Sequence, residues 1–382
     1  MRLPALTIAG SLMVITLAVN MEVPLYRTYA QAAGFGNGLT AIVFAAYVAG
    51  LLPVLIFFGG ISDRIGRKPV VLLGLVLAII ATSLIIISPT MQALLITRLL
   101  QGVGVGLSVG AGTAYLAELM EDAGRAAGYV AVTTSLGFGG GALLTTIALL
   151  FQTSNVPPSY WLVLSLAVLF TGLVFALPAP EPPGGAILRL PYFRRDTLPA
   201  SLAIGLAWAV TGLVIAIVPT QLAQYKLAEW SGLALFLVNG TGVLMQPLAR
   251  RLSATVSMRL GFILIPLGYG LLVSGAWLGI LGLVLAGAAL AGAACYGFTY
   301  LGGLAEVSRL GGSQRARAVS GYFLWAYLGF GLPSILIGFL ADSIGVLNAL
   351  VGFGVVIVAA SLTLAYRSKE ANLKSPQVEQ AS

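Results

Sequence analysis

Apolar runs of about twenty residues fill almost the whole chain, separated by short polar breaks. An α-helix rises about 1.5 Å per residue, so such a run crosses the roughly 30 Å hydrocarbon core of a bilayer. Only segments that satisfy their own backbone hydrogen bonds survive there, which makes this an integral membrane protein built of helices. Charge content agrees with that class: 8% of residues are Asp, Glu, Lys or Arg, against roughly 25% in soluble domains.

Taken in order, the runs predict twelve spans in an all-α membrane protein. Six lie at Leu3–Leu25, 38–58, 69–88, 91–117, 126–151 and 159–178. Six more lie at 198–222, 232–249, 259–276, 278–303, 318–341 and 345–366. Between the sets, Pro178-Ala179-Pro180-Glu181-Pro182-Pro183-Gly184-Gly185 and then Arg189, Arg194 and Arg195 form the longest polar interruption. The expected organisation is an N-terminal six-helix bundle over 1–178, a cytoplasmic linker over 179–197, a C-terminal six-helix bundle over 198–366 and a polar tail over 367–382.

The halves repeat each other. Leu136-Gly137-Phe138-Gly139 recurs as Leu328-Gly329-Phe330-Gly331, 192 positions on. Arg125 through Gly128-Tyr129 is echoed by Arg317 through Gly321-Tyr322. Six spans per half is an even number, so both copies enter the membrane from the same side as parallel repeats. With the N-terminus in the cytoplasm, seventeen of the twenty Lys and Arg are cytoplasmic, Arg27 and Lys226 lie outside, and Arg98 falls within a span. The positive-inside rule favours that orientation, with both termini cytoplasmic.

The net charge of +8 is dispersed among short loops, so no basic face for nucleic acid forms. Cys295 is the one cysteine, which excludes an internal disulfide. Histidine is absent, so any proton relay must use carboxylates, and His-based metal or nucleophile sites are excluded. Neither a metal nor a cofactor is expected, and no nucleophile–base cluster suggests an enzyme.

Between the second and third spans lies Gly59-Gly60-Ile61-Ser62-Asp63-Arg64-Ile65-Gly66-Arg67-Lys68. Gly59, Asp63, Arg64, Gly66, Arg67 and Lys68 fall in register with G-x-x-x-D-R-x-G-R-[RK], so the stretch resembles the signature loop of the major facilitator superfamily. The fourth span carries Arg98-Leu99-Leu100-Gln101-Gly102-Val103-Gly104-Val105-Gly106, similar to that superfamily's R-x-x-Q-G-x-G pattern. Gly102, Gly106 and Gly110 are four apart on one helix face, which lets a neighbouring backbone approach closely. A nucleotide-binding reading of the glycines fails, since no strand precedes them.

Glu118 to Arg125 reads E-x6-R. The resemblance implies a cytoplasmic charge network of Asp63, Arg67, Glu118 or Asp122, and Arg125, which holds the outward-open state and breaks on opening inward. The second half keeps Glu306, Arg315 and Arg317 at different spacing, and Pro247-Leu248-Ala249-Arg250-Arg251 has an arginine where the aspartate should stand. Any gate is therefore asymmetric. The fifth span has Gly128, Gly137 and Gly141 of the drug-exporter motif G-x8-G-x3-G-P-x2-G-G, then Ala142 for the proline and Thr145-Thr146 for the glycines. Gly137 and Gly141 still suit close packing.

The charges inside spans mark the expected site, because each is costly in lipid. Glu22, in Asn20-Met21-Glu22-Val23-Pro24, lies near the outer end of the first span, either immersed or solvated at the helix mouth. Arg98 lies at similar depth with opposite sign and suggests a pair. Asn20 holds the place of an aspartate common in drug exporters, and Gln101 is one turn from Arg98. In the second half Trp208, Gln221, Asn239, Gln246, Tyr269, Tyr296, Tyr300, Trp325 and Tyr327 are candidates to line a cavity. Asn239 and Gln246 lead because membrane-buried amides need partners.

A cavity with one carboxylate and no lysine suits neutral or cationic amphipathic solutes better than multiply charged anions. The expected protein is a monomeric, multi-pass transporter of the bacterial inner membrane, working by alternating access and exporting amphipathic compounds in exchange for protons. Its partners are a small-molecule substrate and the lipid bilayer. A uniporter or symporter for a neutral nutrient such as a sugar is the alternative, and a non-transporting receptor the alternative of another class.

Overall fold

The computed structural model describes residues 3–374 apart from Pro183 and Arg189, with side chains as far as Arg367. Arg2, Arg189, the tail beyond 374 and the side chains of Lys369 and Lys374, all used in the charge count above, lie outside the described residues. Every regular element among the described residues is helical.

The first crossing is α1 (Leu3–Asn20), a 3-10 turn Val23–Leu25, and α2 (Tyr26–Ala33). It is followed by α3 (Asn37–Phe57), the short α4 (Ile61–Ile65), α5 (Arg67–Ile87), α6 (Met91–Met120), α7 (Ala123–Phe151) and α8 (Pro158–Phe175). After the connecting segment come α9 (Leu198–Ala216) with α10 (Val218–Leu222), α11 (Ser231–Ala249) and α12 (Ala254–Leu278). Then α13 (Leu281–Gly292) runs through a π-helical stretch, Ala293–Thr299, into α14 (Tyr300–Gly311), and α15 (Arg315–Ile344) and α16 (Val346–Lys374) close the chain.

Among the described residues, eleven helical stretches are long and apolar enough to cross a membrane. One of them, Leu281–Ile344, has 64 residues and would span about three bilayer cores as a straight rod. It is two crossings. The chain reverses at Gly312–Gln314, where Gly312 has φ +50°, and α15 packs back against α14. The bundle therefore crosses twelve times.

The first crossing is longer than the sequence predicts. Pro24 has no N–H to offer the Asn20 carbonyl, so the α-helix stops at Asn20. The chain does not turn away there; Leu25 N–H bonds the Glu22 carbonyl at 2.9 Å and the crossing continues to Ala33. Between the ninth and tenth crossings, the turn falls at Gly279, which adopts φ +69° to end α12.

Within the halves, α1 packs on α7 and α6, α3 on α6, α9 on α15, and α12 on α13. Between the halves, α3 packs on α15 and α7 on α11. The repeated tetrapeptide serves both sets. A methyl group added at Gly137 would overlap α1 at Thr16, and one at Gly329 would overlap the Gly205 backbone of α9. One at Gly139 would lie 2.9 Å from Phe236 Cα on α11, and one at Gly331 would lie 3.4 Å from Val48 of α3.

Candidate functional site

At the end carrying loop 58–66, here the motif end, Arg67 pairs with Asp63 through Nη1 and with Glu118 Oε1 through Nε at 3.1 Å. Its Nη1 also donates to Ser62 Oγ at 2.8 Å. Gly66, with φ +98°, makes the turn that starts α5 and brings Arg67 back over Asp63. The cluster is Asp63, Arg67 and Glu118. Asp122 is elsewhere: its carboxylate caps α7 by accepting from Arg125 N–H at 3.0 Å. Arg64 and Arg125 are exposed. Lys68 donates to the Phe175 and Leu177 carbonyls at 2.8 and 2.6 Å, tying α5 to the end of α8.

The connecting segment is strapped to both halves. Gly184 N–H donates to the Asp63 carbonyl at 2.9 Å, and Gly60 N–H to the Ile187 carbonyl at 3.0 Å. Tyr192 N–H donates to the Arg317 carbonyl at 3.0 Å, and Arg317 Nε returns a bond to the Leu190 carbonyl at 2.8 Å. A methyl group at Gly60 would overlap the Ala186 carbonyl, so this glycine serves the strap. Gly59 carries no such close contact, its nearest neighbour being the Leu55 carbonyl at 3.5 Å.

At the opposite, far end, the halves meet directly. Asp342 Oδ1 accepts from Asn37 N–H and Nδ2, both at 2.8 Å, and Oδ2 accepts from Gly38 N–H at 2.8 Å. A carboxylate of the second half thus caps the first turn of α3, where exposed N–H groups and the helix dipole favour negative charge. Thr146 Oγ1 donates to the Glu229 carbonyl at 2.7 Å, joining α7 to the start of α11. The sequence reading missed Asp342, which lies one residue past the predicted end of its span.

Midway, the structure brings Glu22, Arg98 and Gln101 together, and all three are buried: 0%, 0% and 3% exposed. Glu22 is thus immersed, with eleven further residues of the same crossing beyond it. Among the described residues no ion pair joins it to Arg98. The amide stands between them: Gln101 Nε2 donates to Glu22 Oε1 at 2.8 Å and to the Ala18 carbonyl at 2.7 Å, while its Oε1 accepts from Arg98 Nη1 at 3.3 Å. Arg98 Nη1 also donates to the Val19 carbonyl, which the irregular backbone after Asn20 helps to expose. Glu22 Oε2, Arg98 Nε and Arg98 Nη2 have no hydrogen-bond partner. Buried polar atoms left without a partner are rare in folded proteins.

The guanidinium lies over the rings of Tyr47 and Phe44, 4.9 and 5.5 Å from their centroids, close enough for cation–π attraction. These rings begin an aromatic floor shared by the two halves. Phe44 lies 4.8 Å from Phe330 with the rings tilted, and Trp208 lies 5.0 Å from Tyr327 and 5.6 Å from Tyr296. Trp208 Nε1, on α9, has no hydrogen-bond partner among the described residues. Tyr296 is offered by the π-helical stretch, a rare geometry frequent at functional positions.

The other predicted residues lie apart from this centre. Asn20 Nδ2 donates to the Phe138 carbonyl at 2.9 Å, joining α1 to α7. Asn239 donates to its own helix, to the Leu235 carbonyl at 3.0 Å, and not to a neighbouring one. Gln246 is buried two turns further on. Of the packing glycines, Gly102 abuts the Tyr47 carbonyl, Gly106 approaches Val54 and Gly141 abuts the Leu17 carbonyl. Gly110 does not pack: it is exposed, and a methyl there meets nothing within 4 Å.

Twelve helical crossings around a buried acid, amide and base, with contacts that join the halves differently at the two ends, define a multi-pass membrane transporter. The sequence profile of the Major Facilitator Superfamily matches residues 8–305. The chain belongs to that superfamily and is a transporter, not an enzyme. It is similar to the multidrug resistance protein MdtL of Shewanella oneidensis, 38% identical over 85 residues, 22% of each chain. It is also similar to MdtL of Klebsiella pneumoniae, 34% identical over 97 residues, 25% of each chain. The matched stretch is thus about a quarter of these relatives or less. A crystal structure of a point variant of the nucleoside transporter NupG superimposes with TM-score 0.78, covering 96% of this chain and 99% of that one. At 13% identity the likeness is one of fold alone.

Proposed function

We propose that the protein exports small amphipathic neutral or cationic compounds in exchange for protons, by alternating access between bundles 1–178 and 198–366 joined by linker 179–197. The observation that carries this reading is the wholly buried Glu22, held through Gln101 beside Arg98 with one oxygen unpartnered. A carboxylate in that position gains or loses a proton as access changes, and Arg98 responds through the same amide. The aromatic floor of Tyr47, Trp208, Tyr296 and Tyr327 offers flat apolar surface to a substrate beside that acid. Resemblance to MdtL over its matched stretch favours export.

The direct contacts at the far end, against a motif end joined through the connecting segment, support a conformation open toward the motif end. The positive-inside rule makes that end cytoplasmic. The protein then sits in the bacterial inner membrane as a monomer with both termini inside, and the Asp63–Arg67–Glu118 cluster, which is intact and lies wholly in the first half, biases its conformational balance without itself bridging the halves. Reconstitution in liposomes with an imposed pH gradient and a compound panel tests the whole reading. Substrate moving against the proton gradient is the expected result; movement with it means symport. Indifference to pH favours a facilitator for a neutral nutrient, which Ala142 and Thr145-Thr146 in the exporter motif of the fifth crossing also suit.

A further inference from the structure

The two halves balance their motif-end charges differently. In the first, Asp63 and Glu118 share Arg67, so the acids are supplied by the chain. In the second, Arg250 stands where the signature would place the aspartate. Around it lies a cavity of about 470 Å³ bordered by Arg250, Arg309 and Arg315, with Ser308 between them and Leu301 and Leu304 on the apolar side. Glu306 is the acid hydrogen-bonded to these cations among the described residues, and both its oxygens are taken by Arg309, at 2.7 and 3.1 Å; Asp196, which also acts on Arg309, is paired with Arg194. Arg250 and Arg315 pair with no acid among the described residues.

Orientation by positive charge explains why arginines collect at this end. It does not explain three of them converging from the end of α11, from α14 and from the start of α15 on one concavity. Two guanidiniums are in excess there, and a planar guanidinium fork matches the oxygens of a phosphate group in a bidentate manner. Basic pockets between helix ends at the membrane surface, with apolar walls for the adjoining chain, also fit anionic headgroups. We propose that this cavity binds a phosphate group, which takes the place of the acid missing from the second half's charge network.

Native mass spectrometry of the full-length, delipidated protein tests this, with phosphatidylglycerol or phosphatidylcholine added in turn. A parallel thermal-shift titration uses inorganic phosphate. Phosphatidylglycerol should be retained about tenfold more tightly than phosphatidylcholine, with about tenfold lost in Arg250→Gln and again in Arg315→Gln. Arg251→Gln, on the same loop but outside the cavity, should behave as wild type. If inorganic phosphate stabilises the wild type but neither variant, and the lipids do not differ, the proposal stands with a free anion as its source. Should Arg250→Gln not fold, Arg315→Gln at the exposed first turn of α15 carries the comparison. If neither probe separates wild type from the variants, the proposal is overturned.

Discussion

Gln101 Nε2 lies 2.8 Å from Glu22 Oε1, so the acid and the base of the buried site meet through an amide. A direct ion pair would pin both charges in one arrangement. The amide lets each exchange partners while staying bonded to the other. Substituting Gln101→Leu removes bonds to a charged group on each side, at a cost of about 1.5–3 kcal/mol each. The variant should express but unfold at lower temperature, and pH-driven flux in liposomes should fall at least about tenfold. Flux equal to wild type would show that the amide only packs.

Glu22→Gln should abolish pH-driven transport and the export of cationic compounds, while counterflow of neutral ones continues. Glu22→Asp should keep part of the activity. Unaltered pH-driven export of cations by Glu22→Gln would leave the buried site without its titrating group and would favour the facilitator.

Asp63→Asn should fold normally and transport slowly. Its loss removes one of the two acids on Arg67, and terms of about 0.3–2 kcal/mol shift a conformational balance without unfolding twelve packed helices. Normal rates in a normally expressed variant would reduce loop 58–66 to an orientation signal.

Asp342→Asn takes a charge from the first turn of α3, worth about 0.3–1 kcal/mol, or about a two- to fivefold change in the balance between closed and open far ends. Spin labels on the exposed Ala32 and Ser343 should then show a larger population of long distances. An unchanged distribution would mean that the apolar contacts of α3 with α15 hold this end alone.

In a Cys295→Ser background, single cysteines at the exposed Ala123 and Ser313 should react with an impermeant reagent from the cytoplasmic side, and one at Thr153 from the outside. Reaction of all three from one side would contradict the proposed orientation.

Much of the fold could be read from the chain because lipid imposes a length on every apolar run and a cost on every charge. Glu22 and Arg98 stood out on that ground alone. What sequence could not supply was geometry finer than a helical turn. Pro24 reads as the end of a span, yet it only interrupts one, and that places Glu22 well inside. Gly110 continues a spacing of four to an exposed position where nothing stands within 4 Å. Trp208, Tyr296 and Tyr327 appeared among nine plausible candidates, and only the convergence of α9, α15 and the π-helical stretch separates them from the rest. Asp342 falls one position beyond the apolar run 318–341, so its sequence context is that of a loop, whereas α15 continues to Ile344.

The tetrapeptide shared by the halves has a mechanical consequence. In each copy, the first glycine welds its helix to a partner inside the same half, while the second, two residues on, lies against the opposite half. Bearing surface and weld are thus fixed to one another by a single peptide, and they cannot drift apart independently. A side chain at Gly139 would press on the opposite half, whereas one at Gly137 or Gly329 would press on a helix of its own half. The duplicated chain has kept both kinds of contact in the same four residues, twice.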